Sequence, residues 1–555
     1  MPMQLKNLAL KFKNIHLLNR EDRIALTRKL ELIRPDFLKP YYPKWWWWKR
    51  CDVRVLIVTD GGLNFGTGAG GLSEFLTIFN QLQATTWNNY QITLGHRSNS
   101  VLSTNSLVVS QINNFNFQTS VTLNNFDQVW LFGINSGSGL SATELPIMEN
   151  YMNGGGGVFA TGDHGSLGSA LCGNIPRVKD MRFWTDLPSD ITDQNAAMRG
   201  AFRNDTNRPS SGSTSMYFDN QSDSIPQVIA PRIFSGGLPH PLLSISTSIR
   251  PSGIIDVMPD HPHEGECKPE RTFTVNGVSV PSQNIATSYV LSGSTTNNGN
   301  VGKTPTTAHS FPSIGVWDGR LANVGRIVVD STWHHFVNIN LNGEGSQGSG
   351  FSNDDLAGRQ TGLNANDYTA IKQYFMNIAT WMTRRKPYFC WRRFIWIELL
   401  RNSQLIEASL NNPIEKIEKI KLADLASIGS LADEILSSKY SPAFSREFML
   451  DCMENQNQEF SSMLNNWNPK SENDDKSDNY YEPWINFDLM LYTSIGAGFI
   501  ALRDDKNISS DQISEKDLDR ISEVFAKGMS YGLDKSVQNF GLNLKGLTKS
   551  TKFKL

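Results

Sequence analysis

The chain has 555 residues, enough for roughly two or three domains, and a formal net charge of −2 from 52 basic and 54 acidic residues. This balance excludes a strongly basic nucleic-acid-binding protein and a polybasic membrane-surface protein. The five cysteines are widely spaced and form no CxxC pair, so the sequence predicts neither a disulfide framework nor a thiolate zinc site. Such cysteine usage favours a reducing, cytoplasmic location.

Residues 1–50 are predicted to form an N-terminal helical arm, because apolar residues recur there at helical spacing. Lysines interrupt every apolar run in residues 1–20, so the segment lacks the apolar core of a secretory signal. We expect the arm to pack on the body of the protein. Four adjacent indoles, Trp45–Trp48, cannot all face one core, and some of them are expected to cap the body or to contact a partner.

Residues 51–345 are predicted to form an α/β domain, because apolar strands alternate there with segments of helical spacing. The predicted strands are Val53–Thr59, Gln128–Gly133, Val158–Thr161 and Arg326–Asp330, and the predicted helices are Leu72–Gln83 and 141–153. This alternation predicts a parallel sheet with right-handed crossovers. The polar segments 200–225 and 290–310 are expected to be long insertions above that sheet.

Residues 366–555 contain less glycine and are predicted to form a helical C-terminal domain. The predicted helices are Tyr368–Arg384, Trp391–Leu410, Ile414–Ser437, Ser445–Asn465, Ile485–Arg503 and Ser514–Gly532. The apolar segment Ile485–Leu502 has nearly the length of a membrane span, but it contains Asp488 and two glycines, so a buried helix is expected. The basic and aromatic run 384–393 is expected to be an elbow between domains rather than a nucleic-acid site.

The turn Gly162-Asp163-His164-Gly165 follows the third predicted strand. A sharp turn after a strand exposes its side chains above the edge of the sheet, where α/β enzymes often place a nucleophile. Here the turn carries Asp163 and His164 instead. An imidazole at this place can act as a general base or a metal ligand, and the alternative is a histidine that only hydrogen-bonds the loop backbone.

Potential metal ligands are densest in residues 260–267, which read DHPHEGEC. In an extended loop, His261 and His263 point the same way and can bind one ion, with Glu264 or another carboxylate completing the coordination shell. The alternative is an ordinary surface loop. A third group, His334 and His335, directly follows the last predicted strand, where the alternative is a packed cluster of tryptophan and histidine.

Asp60, Gly61 and Gly62 follow the first predicted strand and are candidates for substrate binding, because the glycines allow close approach of a ligand. The glycine-rich loop after them can cradle an anion, but it matches neither the P-loop nor the dinucleotide-binding fingerprint. Three of the histidine positions, His164, His334 and His335, directly follow strands, and we expect them to converge with His261 and His263 at one sheet edge.

The segments VRVLIVTDGG, GGGGVFATGDHG and GRIVVDSTWHH together resemble the class I glutamine amidotransferase-like superfamily, and within it the ThuA-like branch, over residues 51–340. The resemblance implies a flavodoxin-like parallel sheet. It places His164 at or near the nucleophile position of the amidotransferases, and His334 or His335 at the late histidine position. It does not imply glutamine hydrolysis, because no cysteine stands at the turn and Cys172 follows too late.

These patterns predict a metal-dependent hydrolase that acts on a small polar substrate, a carbohydrate or an amide. A divalent ion, expected to be zinc, would be held by His261, His263 and His334 or His335. Asp163 or Glu264 would act as general base, and His164 as a ligand or proton shuttle. The alternative hypothesis is a non-catalytic module that binds a small ligand and is coupled to a helical domain that binds a partner protein.

Overall fold

The computed structural model describes two compact units, one built around a sheet and one built from helices. Its described residues are 51–85, 88–163, 166–185, 215–216, 227–234, 238–259, 265–290, 295–296, 309–341, 365–384, 395, 399, 402–410, 417–454, 487–505 and 515–550. The predicted N-terminal arm, with Trp45–Trp48, lies outside these residues. So do most of the predicted insertions at 200–225 and 290–310.

The sheet unit contains fourteen strands within the described residues, and five helices cover the same span. The strands are β1 Cys51–Thr59, β2 Asn88–His96, β3 Val108–Asn113, β4 Gln128–Phe132, β5 Gly157–Thr161, β6 Ser215–Met216, β7 Gln227–Val228, β8 Ala230–Pro231, β9 Val257–Met258, β10 Thr272–Val275, β11 Val278–Val290, β12 Thr295–Thr296, β13 His309–Trp317 and β14 Ile327–Asp330. The helices are α1 Ser73–Thr85, α2 Leu145–Asn153, α3 Ser169–Cys172, α4 Asn338–Leu341 and α5 Ala365–Trp381.

The central sheet runs in the order β10-β11-β13-β14-β5-β4-β1-β2-β3, with β8 also paired to β11. The strands from β14 to β3 are parallel to one another, whereas β13, β11, β10 and β8 pair antiparallel. The sheet is therefore mixed but mostly parallel. Its parallel half, from β14 to β3, contains all four predicted strands. The antiparallel extension did not follow from the sequence pattern.

The central parallel strands β1, β4, β5 and β14 are mostly buried on both faces, which explains their largely apolar sequences. On one face, Trp130 and Phe159 pack with Phe75 of α1 and Phe375 of α5. On the other face, Val129 packs with residues of α2 and α3. The helix that follows β1 and the helix that follows β4 thus cover opposite faces of the sheet. From β1 the chain moves towards β2, and from β4 it moves the other way, towards β5, so the strand order reverses between the adjacent strands β1 and β4.

Helix α5 belongs to the sheet unit, although its residues were predicted to begin the helical domain. Its buried residues, among them Tyr374, Phe375 and Ile378, join the core on the face of α1. The Phe375 ring lies 5.6 Å from that of Phe75 and 4.7 Å from that of Phe336. The 3.6-residue period predicted the helix correctly, but a period alone does not reveal which surface a helix covers.

The second unit contains helices α6 Ser403–Leu410, α7 Leu422–Lys439, α8 Pro442–Glu454, α9 Phe487–Asp504 and α10 Glu515–Ser550. Helices α7 and α9 approach closely, because Gly429 lies against the backbone of Tyr492 and Gly496 against that of Leu425. Helix α9 is the apolar segment that was predicted to be a buried helix. Among the described helices, none combines the length and the apolar character that crossing a bilayer requires.

Cys51 is disulfide-bonded, whereas Cys172, Cys267 and Cys452 are free and buried. The expectation of a reducing compartment rested on cysteine spacing, which does not show whether cysteines far apart in the sequence form a disulfide bond. The disulfide at Cys51 removes that support, because disulfides persist mainly in oxidising compartments. A cytoplasmic location stays a prediction.

A partly buried ion pair joins the residue after β2 to the residue before α2. Arg97 donates to Glu144 at 2.7 and 3.2 Å, and Glu144 also accepts from the backbone N–H of Phe117 and from the Ser141 hydroxyl. Burial opposes ionisation of Glu144, but the hydrogen bonds from Arg97 and Phe117 and the charge of Arg97 outweigh it. Together they lower the pKa of Glu144 to about 2.

We predict that Glu144→Gln lowers the free energy of unfolding at pH 7 by about 1–3 kcal/mol, because it weakens the charge-assisted hydrogen bonds from the partly exposed Arg97 and from Phe117 N. The deficit is full above pH 4.5, the ordinary pKa of the group, and shrinks as the pH falls towards 2. Urea unfolding at pH 7 and at pH 3.5 measures both values. The exposed Glu149→Gln on the same helix serves as control, and an equal deficit at both pH values would contradict the prediction.

Candidate functional site

Four adjacent parallel strands end at the same level. Thr59 of β1 is in register with Phe132 of β4, Phe132 with Thr161 of β5, and Thr161 with Asp330 of β14. The segments that follow these strands therefore start side by side along one edge. This is the edge at which open α/β sheets bind their ligands.

The edge brings Asp163 and His334 together. Asp163 follows β5 and is 1% exposed, and its Oδ2 lies 3.4 Å from Nε2 of His334, which follows β14. The two segments are also joined through their backbones, since Trp333 N donates to Gly162 O at 2.8 Å. The Thr332 hydroxyl accepts from His334 N at 3.1 Å and lies 3.5 Å from Asp163 Oδ1.

The imidazole of His334 is held on two sides. Its ring stacks on Trp333 with 4.0 Å between centroids and an interplanar angle of 17°. Its Nδ1 lies 3.3 Å from Oδ1 of Asn340, an atom that can only accept a hydrogen bond. This contact fits a tautomer with a proton on Nδ1, and Nε2 faces the carboxylate of Asp163.

His335 takes a different place from His334. It is buried, and its Nδ1 lies 2.8 Å from Asp330 Oδ1. The Tyr374 hydroxyl donates to Asp330 Oδ2 at 2.7 Å. Burial, followed by the charge of Asp330, raises the pKa of Tyr374 well above its usual value. This buried group anchors the segment that carries His334 to helix α5.

Arg182 was not singled out from the sequence, yet it links both segments of the site. Its guanidinium is fully buried, and Nη2 donates to the carbonyl oxygens of Asp163 and Ser331 at 2.8 and 2.6 Å. Its Nη1 donates to Phe183 O at 2.8 Å, and its Nε has no hydrogen-bond partner. No motif signals this residue, because all its acceptors are backbone atoms.

The loop that carries His261, His263 and Glu264 lies outside the described residues, as does His164. The described residues that follow this loop do reach the edge. A Cβ on Gly265 would overlap Ser331 O and Arg182 Nη2, and Phe183 N donates to Glu266 O at 3.1 Å. The end of the 260s loop is therefore fixed beside the segments that carry Asp163 and His334.

Asp60 lies where the connections change direction, between β1 and β4. Its Oδ1 accepts from the backbone N–H groups of Ile134 and Asn135 at 2.5 and 3.1 Å. Burial raises the pKa of Asp60, and these two donors partly offset the rise. Gly61 has a φ of +61° and lies so close to Ile134 that a Cβ would overlap it, whereas a Cβ on Gly62 would meet nothing.

The glycine-rich loop after Asp60 is filled by a side chain of the protein. Asn338 of α4 donates to Gly66 O and Gly68 O at 3.1 and 3.0 Å. Its Oδ1 accepts from Glu74 N at 3.0 Å, a backbone group of the first turn of α1. Asn338 thus fills the loop that the sequence suggested as an anion cradle, and it also binds one backbone donor at the start of α1.

Within the residues that the structure describes, no three His, Cys, Asp or Glu side chains are grouped so as to hold a metal ion. Asp163 and His334 are two such side chains, and the remaining predicted ligands His261 and His263 are outside that part of the chain. Neither a protein-family model nor a curated protein matches this sequence.

We predict that Gly265→Ala destabilises the sheet unit by about 1–3 kcal/mol, because the added methyl group overlaps backbone and guanidinium atoms that cannot move independently. Gly68→Ala is the matched control, since a Cβ there meets nothing within 4 Å. Thermal unfolding followed by tryptophan fluorescence compares the two variants. Equal unfolding temperatures would show that the end of the 260s loop does not contact the edge.

Proposed function

We propose that the protein is a metal-dependent hydrolase whose site includes Asp163 and His334. The observation that carries the proposal is the approach of Asp163 Oδ2 to His334 Nε2 at the edge of the parallel strands. Both side chains follow strands, both are held by neighbouring groups, and both are ligand types that zinc accepts.

The separation of the two atoms supports a shared cation. A charge-assisted hydrogen bond between an imidazolium and a carboxylate spans about 2.7–2.9 Å, which is shorter than the 3.4 Å found here. Two ligands at about 2.0–2.2 Å from a tetrahedral ion lie roughly 3.3–3.6 Å from each other. A proton on Nδ1 of His334 also leaves the Nε2 lone pair facing a carboxylate oxygen, and a cation between two such acceptors is favourable.

The protein supplies the orientation that such a ligand needs. Histidine ligands of metals usually donate their other N–H to an oxygen acceptor, as His334 does to Asn340. His261 and His263 are the proposed remaining ligands, because the residues after their loop lie at the same edge. A bound divalent ion lowers the pKa of its water and so provides a nucleophile at neutral pH. Glu264 remains the proposed general base if Asp163 is a ligand.

We also propose that the sheet unit has a flavodoxin-like fold and is related to the class I glutamine amidotransferase-like superfamily. The parallel strands run β3-β2-β1-β4-β5-β14, the third-second-first-fourth-fifth-sixth order of doubly wound sheets, and without the edge strand β3 they follow the second-first-third-fourth-fifth order of flavodoxin-like sheets. The motifs of the ThuA-like resemblance lie at the ends of β1, β5 and β14 in this order. The proposed substrate is small and polar, a carbohydrate or an amide, and the helical unit is proposed to bind a protein partner.

A second function, binding of a small ligand without catalysis, is favoured by one observation. Asp60 is a buried carboxyl group between β1 and β4, the place where doubly wound sheets bind small molecules. Such a module would need Asp60 and would not need a metal at His334.

We predict about one zinc ion per chain for the full-length protein after incubation with zinc and dialysis. Asp163→Asn and His334→Ala should each remove most of it, because each deletes a ligand. Asp180→Asn is the control, since the Asp180 carboxylate forms an ion pair with Arg271. Elemental mass spectrometry gives the metal content, and thermal unfolding checks the fold. No bound metal in the wild type, or full metal in both site variants, would refute the metallohydrolase and favour the ligand-binding module.

A further inference from the structure

We infer that Arg182 is a positioning residue that sets the spacing between Asp163 and His334. That the pair binds a metal rests on the proposed function. That Arg182 holds the two segments together rests only on its own hydrogen bonds. One side chain joins the two segments that follow β5 and β14 and carry the pair, and it lies beside Gly265.

The first argument is the convergence of acceptors on one guanidinium. Asp163 O and Ser331 O belong to neighbouring segments that leave β5 and β14, and a single nitrogen, Nη2, donates to both. The two segments also meet through Trp333 N and Gly162 O. Loops that follow adjacent strands can otherwise diverge, so these bonds keep the carboxylate and the imidazole at a fixed separation.

The second argument is the burial of Arg182. Its guanidinium is fully buried, and Nη1 and Nη2 donate to three backbone carbonyl groups, those of Phe183, Asp163 and Ser331. A buried polar group that loses its hydrogen-bond partner is costly, so these bonds favour one arrangement of the segments that they join.

The third argument is the shape of the surroundings, which fits a planar guanidinium. The group lies over the Trp184 ring at 4.5 Å from its centroid. Glycine stands at two positions beside it, since a Cβ on Gly265 would overlap Nη2 and a Cβ on Gly162 would lie 3.2 Å from Nη1. Lysine keeps the charge but cannot replace the forked set of donors.

The test compares Arg182→Gln and Arg182→Lys with the wild type in the full-length protein. Arg177→Gln is the matched control, because Arg177 also lies over a tryptophan, Trp317, but donates to Asn153 rather than to a segment of the site. Zinc affinity is measured by competition with a chromophoric chelator. Hydrogen exchange measured by mass spectrometry reports the opening of residues 158–169 and 327–341 without any metal.

We expect Arg182→Gln to weaken zinc binding by about 10–100-fold, the usual effect of losing a residue that orients metal ligands. Arg182→Lys should recover part of the affinity, because an ammonium group can still donate to Asp163 O or Ser331 O, and both variants should exchange faster at 158–169 and 327–341 only. Wild-type exchange in those segments, or faster exchange throughout the sheet unit in both variants, would overturn the inference. If the wild type binds no zinc, the proposed metal chemistry fails, and local exchange still decides the role of Arg182.

Discussion

The common level of four parallel strand ends is the constraint on which the site depends. Thr59, Phe132, Thr161 and Asp330 are in register, so the residues after them begin along one line. Parallel pairing makes this possible, because it places the carboxyl ends of all strands at the same edge. Residues far apart in the chain, such as Asp163 and His334, thereby become neighbours without any motif that contains both.

The segment after β14 holds the site in place because it is anchored on both sides. Phe336 packs in the aromatic core, with its ring 5.0 Å from that of Phe159 and 4.7 Å from that of Phe375. Asn338 binds the glycine-rich loop after β1, and Arg182 holds Ser331 from the other side. His334 therefore stands on a short, fixed piece of chain. Such support by surrounding residues is what keeps a catalytic or metal-binding group in a defined position.

The sequence predicted the four central parallel strands β1, β4, β5 and β14, whose residues are largely apolar, and it singled out Asp163 and His334 in the segments that follow two of them. It did not predict the antiparallel extension, because β11 (VSVPSQNIATSYV) mixes polar residues and a proline with its apolar ones. Helix α5 was expected in the other unit, because the helical period of a sequence does not show which surface the helix packs against. Arg182 had no signal at all: its acceptors Asp163 O and Ser331 O are backbone atoms 19 and 149 residues away. Only tertiary structure brings such atoms together.

The central claim is that a cation is bound between Asp163 and His334 at this edge. The most direct measurement is an anomalous difference map, recorded at the zinc absorption edge from crystals of the full-length protein grown with zinc. The account predicts a peak about 2.0–2.2 Å from both His334 Nε2 and Asp163 Oδ2. A map without a peak there, with the two side chains still 3.4 Å apart, would contradict it.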